Sequence, residues 1–392
     1  MNKDILNTGA QEFISKNINT DMMTVLLKKS TFDKISSKEL AEQIEAKKKC
    51  LKKLPTWFNT PKIYYPKKLH IEQTSSEITA FYKAQIIDGK SLLDLTGGFG
   101  IDSYFFSKKI DAIHYNEIDQ NLAEIATYNF EVLGVKNISI SKKDAIPFLE
   151  ESLEHFDWIY VDPSRRNKTK GKVFMLEDCL PDIASNLSLL FERTNHILIK
   201  TAPLLDISMG IKALNFIKEV QVVAVDNEVK ELLWVLKKGF DGDILTKTIN
   251  FTKSSSEVFE FYRLDEKSAV SVFGHPQKYL YEPNTAILKS GGFKIIGQKL
   301  NLSKLGQHSH LYTSKELIKF PGRRFVINKV ITYSSKSLKE LQIGKANITT
   351  RNFSITVAEI RKKFKIKDGG NVFLFFFKNH LNEYQIIVCS KA

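Results

Sequence analysis

The chain has 392 residues, 43% of them hydrophobic, three cysteines and a formal charge of +14. At roughly 100–200 residues per domain this is two or three domains with at least one large core, which excludes a disordered tail. With no apolar run longer than Val372 to Phe377, no leader-like pattern after Met1-Asn2-Lys3-Asp4 and no C-x-x-C among Cys50, Cys179 and Cys389, the expectation is a cytoplasmic protein without membrane span, disulfide framework or metal site.

Residues 1–70 carry a net +7 and read as an N-terminal helical segment. Ser36-Ser37-Lys38-Glu39 resembles a capping box, followed by Leu40, Ile44, Leu51 and Leu54 near helical spacing. Pro55 stops that helix; Asn59-Thr60-Pro61 and Tyr65-Pro66 make an extended linker before a second start signal at Thr74-Ser75-Ser76-Glu77. From Ser91 onward short apolar runs alternate with helix-length amphipathic stretches. Strands are expected at Ser91–Leu95, Ala112–Asn116, Ile138–Ser141, Trp158–Val161, His196–Lys200, Val220–Val225 and Leu232–Lys237. Such alternation implies βαβ units on a mostly parallel sheet, with the last two strands a closing antiparallel pair. Lys247–Thr252 and Glu257–Leu264 read as an additional hairpin. This body, 71–277, carries a net −8.

After Gly274-His275-Pro276 the composition turns basic, and residues 278–392 carry a net +15. Asn284–Gly297 reads as a helix interrupted at Gly291-Gly292. A small α+β pattern follows: strand Phe325–Tyr333, helix Ser337–Leu341, strand Ala346–Thr350, helix Val357–Phe364, and strands Asn371–Lys378 and Tyr384–Cys389. A field of this size attracts an anionic backbone, so it points to nucleic acid; the bland alternative is solvated lysine.

The informative stretch is Leu92-Leu93-Asp94-Leu95-Thr96-Gly97-Gly98-Phe99-Gly100, an apolar strand that ends in Asp and runs into a glycine-rich turn. Glycines at Gly98 and Gly100 let a ligand approach the backbone, and Asp94 can accept from an ammonium group. Glu117 ends the second strand, where a carboxylate can accept both hydroxyls of a ribose. Asp144 follows the third strand, placed to accept from an exocyclic adenine amine, and Asp162-Pro163 ends the fourth. Four acidic residues thus fall at the carboxyl edge of one sheet, although Asp and Glu after strands also cap helices. A dinucleotide-binding turn would read G-x-G-x-x-G; here the third glycine is missing, and Asp94 beside a pyrophosphate would set two anions together. The same carboxylate fits a ligand with an amine and no phosphate, S-adenosylmethionine.

These residues resemble the motifs of class I S-adenosylmethionine-dependent methyltransferases: Asp94, Thr96, Gly98 and Gly100 for the first, Glu117 with Ala126-x-x-Asn129 for the second, Asp144 and Asp162 for the third and fourth. A closer resemblance covers almost the whole chain, to bacterial methyltransferases with a ferredoxin-like insert and a C-terminal THUMP-like domain. Its segments are Leu54-Pro55-Thr56-Trp57, Glu72-Gln73-Thr74-Ser75-Ser76-Glu77, Asp162-Pro163-Ser164-Arg165-Arg166, Tyr281-Glu282-Pro283-Asn284, and Arg351-Asn352-Phe353 through Lys367-Asp368-Gly369-Gly370. The resemblance implies an α/β fold with a Rossmann-like seven-stranded methyltransferase sheet (71–277), an N-terminal helical segment (1–70), a ferredoxin-like segment (278–322) and a THUMP-like domain (323–392). It also implies RNA, tRNA or rRNA, as substrate.

Amino-group methyltransferases commonly read D/N-P-P-Y/F at the fourth motif. Asp162-Pro163-Ser164-Arg165-Arg166 lacks the second proline and the aromatic, while Arg165 can stack on a base or grip phosphate. Lys168, Lys170 and Lys172 extend a basic loop. Covalent methylation at pyrimidine carbon needs a cysteine nucleophile; the fifth strand ends Lys200-Thr201-Ala202-Pro203, and Cys179 reads as a small buried residue on a helix. Loose similarity to ribosomal RNA guanine-N2 methyltransferases suggests direct displacement at nitrogen, with Asp162, Pro163 and Arg165 as catalytic residues. Arg165, Arg166, Lys168, Arg323, Arg324, Arg351, Arg361 and Lys362 are the expected RNA contacts. His308 and His310 are read as polar surface residues rather than a metal pair. Two rival readings are a non-catalytic RNA-binding protein that keeps the cofactor fold, and a nicotinamide oxidoreductase.

Overall fold

A computed structural model describes residues 1–165 and 176–392. Arg166, Lys168, Lys170 and Lys172 of the expected basic loop lie outside the described residues, as does the side chain of Arg165. The chain divides into two compact units: Met1–Ile217 with Trp234–Phe240, and Lys218–Leu233 with Asp241–Ala392.

In the first unit, helix α1 (Ser37–Lys53) starts on a complete capping box, in which Ser36 accepts from the Glu39 N–H and Glu39 accepts from that of Ser36. Leu40, Ile44 and Leu54 are buried, but Leu51 is exposed and the buried stripe passes through Cys50 instead. Pro55 both follows this helix and opens a short one, Pro55–Asn59, because its missing N–H costs nothing at a first helical position. That turn seats Trp57, fully buried and T-shaped against Tyr104 with ring centroids 4.9 Å apart. The N-terminal helices share one core with Phe99, Ile101, Leu122 and Ile125, so residues 1–70 pack directly on the segment after the glycine turn.

Helix α2 (Glu77–Ile86), capped by Ser76, leads into the sheet. Strands β1 (Ser91–Asp94), β2 (Ala112–Asn116), β3 (Ile138–Ser141), β4 (Trp158–Val161) and β5 (His196–Thr201) pair parallel in the order β3-β2-β1-β4-β5. Helices α3 (Ile101–Phe106), α4 (Gln120–Val132) and α5 (Ala145–Glu151) follow β1, β2 and β3. Strand β6 (Ile217–Val225) turns through Asp226-Asn227, both at positive φ, into β7 (Glu228–Lys237), the end of which closes on β5. Two residues with positive φ are what a tight hairpin requires.

In the second unit, β6 pairs in parallel with β8 (Leu245–Phe251), which pairs antiparallel with β9 (Ser256–Tyr262). The expected additional hairpin therefore forms beside β6; Leu264 lies beyond it in helix Arg263–Ser268. A second sheet contains β10 (Tyr279–Pro283), β11 (Ser303–Lys304), β12 (Tyr312–Ser314), β13 (Gly322–Thr332), β14 (Lys345–Arg351), β15 (Lys367–Lys378) and β16 (Tyr384–Lys391), in the order β11-β12-β10-β13-β16-β15-β14. The expected break at Gly291 is a left-handed cap at φ +83 that ends helix Thr285–Ser290. The apolar run in β15 is buried on both faces: Phe373, Phe375 and Phe377 join one core, and Leu374 and Phe376 another.

Candidate active site

The site is built at the carboxyl ends of β1 to β4, all in the first unit. The turn after β1 approaches β2 closely: the Gly97 N–H donates to the Asn116 carbonyl at 2.7 Å, and the Tyr115 hydroxyl donates to the Gly98 carbonyl at 2.6 Å. A side chain at Gly97 would meet the Tyr115 ring at 2.0 Å, and one at Gly100 the Phe130 ring at 2.5 Å. Gly98 and Gly100 also hold φ at +57 and +82, where L side chains are strained.

Asp94 lies beneath this turn and is 1% exposed. The Ser103 hydroxyl donates to its Oδ2 at 2.5 Å and the Thr96 N–H to its Oδ1 at 3.2 Å. Burial pushes Asp94 up to about 8, against the pull of Ser103 and Thr96 and with a push from Asp102. Asp94 therefore organises the turn from below instead of standing open to a ligand ammonium.

Glu117 stands where expected, just past β2. It accepts from the N–H of Gly98 and from that of Asp119, each at 2.8 Å, which ties the turn to the second strand end. Next to it Ile118 is 64% exposed, a large apolar surface beside a carboxylate that nothing in the strand pattern had flagged. Asp144 precedes α5 and is exposed, yet its side chain makes no capping hydrogen bond, so helix capping does not account for it. Asn116 clips the strand ends together: its amide donates to the Lys143 carbonyl at 3.0 Å, and its Oδ1 accepts from the Lys143 N–H and from Ser141. The Asp162 N–H donates to Thr96 Oγ1 at 2.7 Å, which fastens the fourth strand end to the turn. Its carboxylate pairs with Lys200 from the end of β5. Thr96, Gly98, Glu117 and Asp162 are thus brought together by direct bonds, with Asp144 one residue from the Asn116 clip.

Other expected residues have different work. Asn129 of Ala126-x-x-Asn129 is buried and clasps the Tyr64 main chain at 2.9 and 3.0 Å. Cys179 is buried, as expected, but in a two-residue strand paired with Ser164-Arg165 rather than on a helix. A buried cluster behind the turn had no signal in the strand pattern: Lys83, 0% exposed, pairs with Asp102 at 3.2 Å, and Asp102 accepts from Ser75 and Tyr160 at 2.8 Å each.

In the second unit, Arg323 and Arg351 both pair with Glu282, which is 3% exposed. Arg361 pairs with Asp368 at 2.5 Å. These three expected RNA contacts are therefore paired with carboxylates, Arg323 while itself exposed; Arg324 and Lys362 are exposed as well. His310 stacks on Phe293 with centroids 3.7 Å apart, and burial and nearby cations lower it to about 4. No group of three or more His, Cys, Asp or Glu able to hold a metal occurs among the described residues, and no described helix is long and apolar enough to cross a membrane.

Residues 279–321 match the model of a family described as a ferredoxin-like domain, and residues 322–391 one described as THUMP domain-like. The crystal structure of a candidate methyltransferase from Porphyromonas gingivalis W83 is 31% identical, covers 100% of this chain and 98% of its own, and superposes with a TM-score of 0.89. An uncharacterized RNA methyltransferase of Mycoplasma mobile is 29% identical over 98 residues, which are 24% of this chain. The chain spans 27% of that relative's length.

Proposed function

The chain belongs to the class I methyltransferases that carry a ferredoxin-like and a THUMP-like segment, and we propose that it transfers a methyl group from S-adenosylmethionine to a nitrogen of an RNA base. The observation that carries this reading is that the glycine turn after β1 is hydrogen-bonded to both flanking strand ends, Gly98 to Glu117 past β2 and Thr96 to Asp162 past β4. Its chemistry fits the cofactor. Carboxylates at Glu117 and Asp144 suit hydroxyls and an amine, and Ile118 offers an apolar surface to a flat ring.

When bound, S-adenosylmethionine would supply a methyl group activated on a sulfonium sulfur, with Thr96, Gly98, Glu117 and Asp144 the residues that would hold it. Asp162 orients the acceptor amine by accepting a hydrogen bond from its N–H, and the site contributes alignment more than chemistry. Guanine N2 in tRNA or rRNA is the acceptor we infer, from the Asp162-Pro163 pair followed by basic residues. The basic ends of the chain, with Arg324 and Lys362 exposed, are assigned to the RNA backbone.

Calorimetry with S-adenosylhomocysteine and with NADH separates this from the oxidoreductase reading; binding of the former alone is expected. Transfer of labelled methyl into RNA from cells lacking the protein, with mass spectrometry of the nucleosides, tests the acceptor. Binding without transfer would favour the non-catalytic alternative, and label at ribose or carbon would overturn the nitrogen assignment.

A further inference from the structure

We propose that Lys200 is a positioning residue for methyl transfer, acting through Asp162; this rests on the methyltransferase reading above. Strands β4 and β5 are parallel neighbours with Val161 opposite Ile199, so the next residue of each, Asp162 just past β4 and Lys200 within β5, stand side by side. The Lys200 side chain is 13% exposed and that of Asp162 31%, and the ammonium donates to Asp162 Oδ2. At the other end, the Asp162 main chain is fixed to the glycine turn through Thr96. The acid is therefore held from two directions, by backbone to β1 and by carboxylate to β5.

Two consequences follow for a displacement reaction. A carboxylate gripped at one oxygen presents the other in a single direction, and alignment is where such a reaction gains most. A lone carboxylate would also attract the cationic sulfonium off the line of transfer, whereas the Asp162–Lys200 pair is close to neutral and leaves that line unbiased. A lysine on flexible methylenes keeps one geometry only where its head is withdrawn from water and paired, as this one is.

The test uses the full-length chain as wild type, Lys200→Arg, Lys200→Met, Asp162→Asn and the double variant Asp162→Asn/Lys200→Met, with thermal unfolding to verify that each is folded. Lys200→Met is expected to bind S-adenosylhomocysteine like the wild type but to lower kcat for labelled methyl transfer into RNA by about 10- to 100-fold, with KM for RNA changed less. Lys200→Arg is expected to restore most of the rate. The double variant is expected to be no slower than the slower single one, because both substitutions remove the same held carboxylate. Wild-type rate in folded Lys200→Met, parallel loss of S-adenosylhomocysteine binding, or additive losses in the double variant would each overturn the inference. Absence of transfer by the wild type would instead overturn the methyltransferase reading itself.

Discussion

Asp94 combines two demands that conflict. It must close the hydrogen bonds beneath a glycine turn, and it does so at 1% exposure, where a charged carboxylate is disfavoured. Burial lifts it from 3.8 to about 8, so between those values the folded chain holds a proton that the unfolded chain has lost. The stability this group contributes is full below 3.8 and declines as pH rises through about 8. Urea midpoints are therefore expected to fall from pH 4 to pH 8, and to fall less in Asp94→Asn; the same slope in both proteins would refute the assignment. Lys83 poses the opposite case, a fully buried cation with Asp102 as its counter-charge. Removing one member of a buried pair strands the other, so Lys83→Met should lose about 3–5 kcal/mol in denaturant unfolding. Neither partner was legible in advance. Asp94 was found because it ends a strand before glycines, but Lys83 and Lys200 find their acids across 19 and 38 residues, and no local pattern encodes such a meeting.

At the level of elements, the turn after β1 is where backbone and function meet. Gly97 has no room for a methyl group, because its Cβ would sit 2.0 Å from the Tyr115 ring, whose hydroxyl in turn holds the Gly98 carbonyl. Gly97→Ala must push that ring away and release Gly98, so it is expected to lose S-adenosylhomocysteine binding in calorimetry while the far-UV spectrum keeps its helix and strand content. Retained affinity would mean that the turn does not form the cofactor site. The strands around it were legible because their signals are local: apolar runs of strand length placed β2, β3 and β4 to the residue. Strand β10 was missed, since Tyr279–Pro283 contains Glu282 and a proline and looks like a turn. Its burial is intelligible only with Arg323 and Arg351 in place, the latter 69 residues away. The Tyr281-Glu282-Pro283-Asn284 and Arg351-Asn352-Phe353 segments thus meet in one ion triad on the buried Glu282.

For the whole molecule, the basic charge is a matter of which cations remain available. Residues 278–392 carry a net +15, but Arg323, Arg351 and Arg361 already face carboxylates. Removing this region wholesale is a poor test, because within the second unit Phe259 and Phe261 share a core with Tyr281, Ile287 and Tyr312, and truncation at 277 would strip it. Cutting at 322 is no better, since β13 pairs with β10 and would leave that edge bare. Point changes at exposed cations avoid both problems. Arg324→Gln and Lys362→Gln should each weaken RNA binding and, where the cation neutralises a phosphate, reduce the slope of log affinity against log salt by about one. Arg351→Gln should instead unfold the second unit at lower denaturant by leaving the buried Glu282 with only one of its two arginine partners, Arg323. Fluorescence anisotropy across a salt series, set beside unfolding curves, distinguishes the two classes. If Arg324→Gln and Lys362→Gln left both affinity and slope unchanged, the C-terminal charge would be solvated surface and the RNA would have to be held elsewhere.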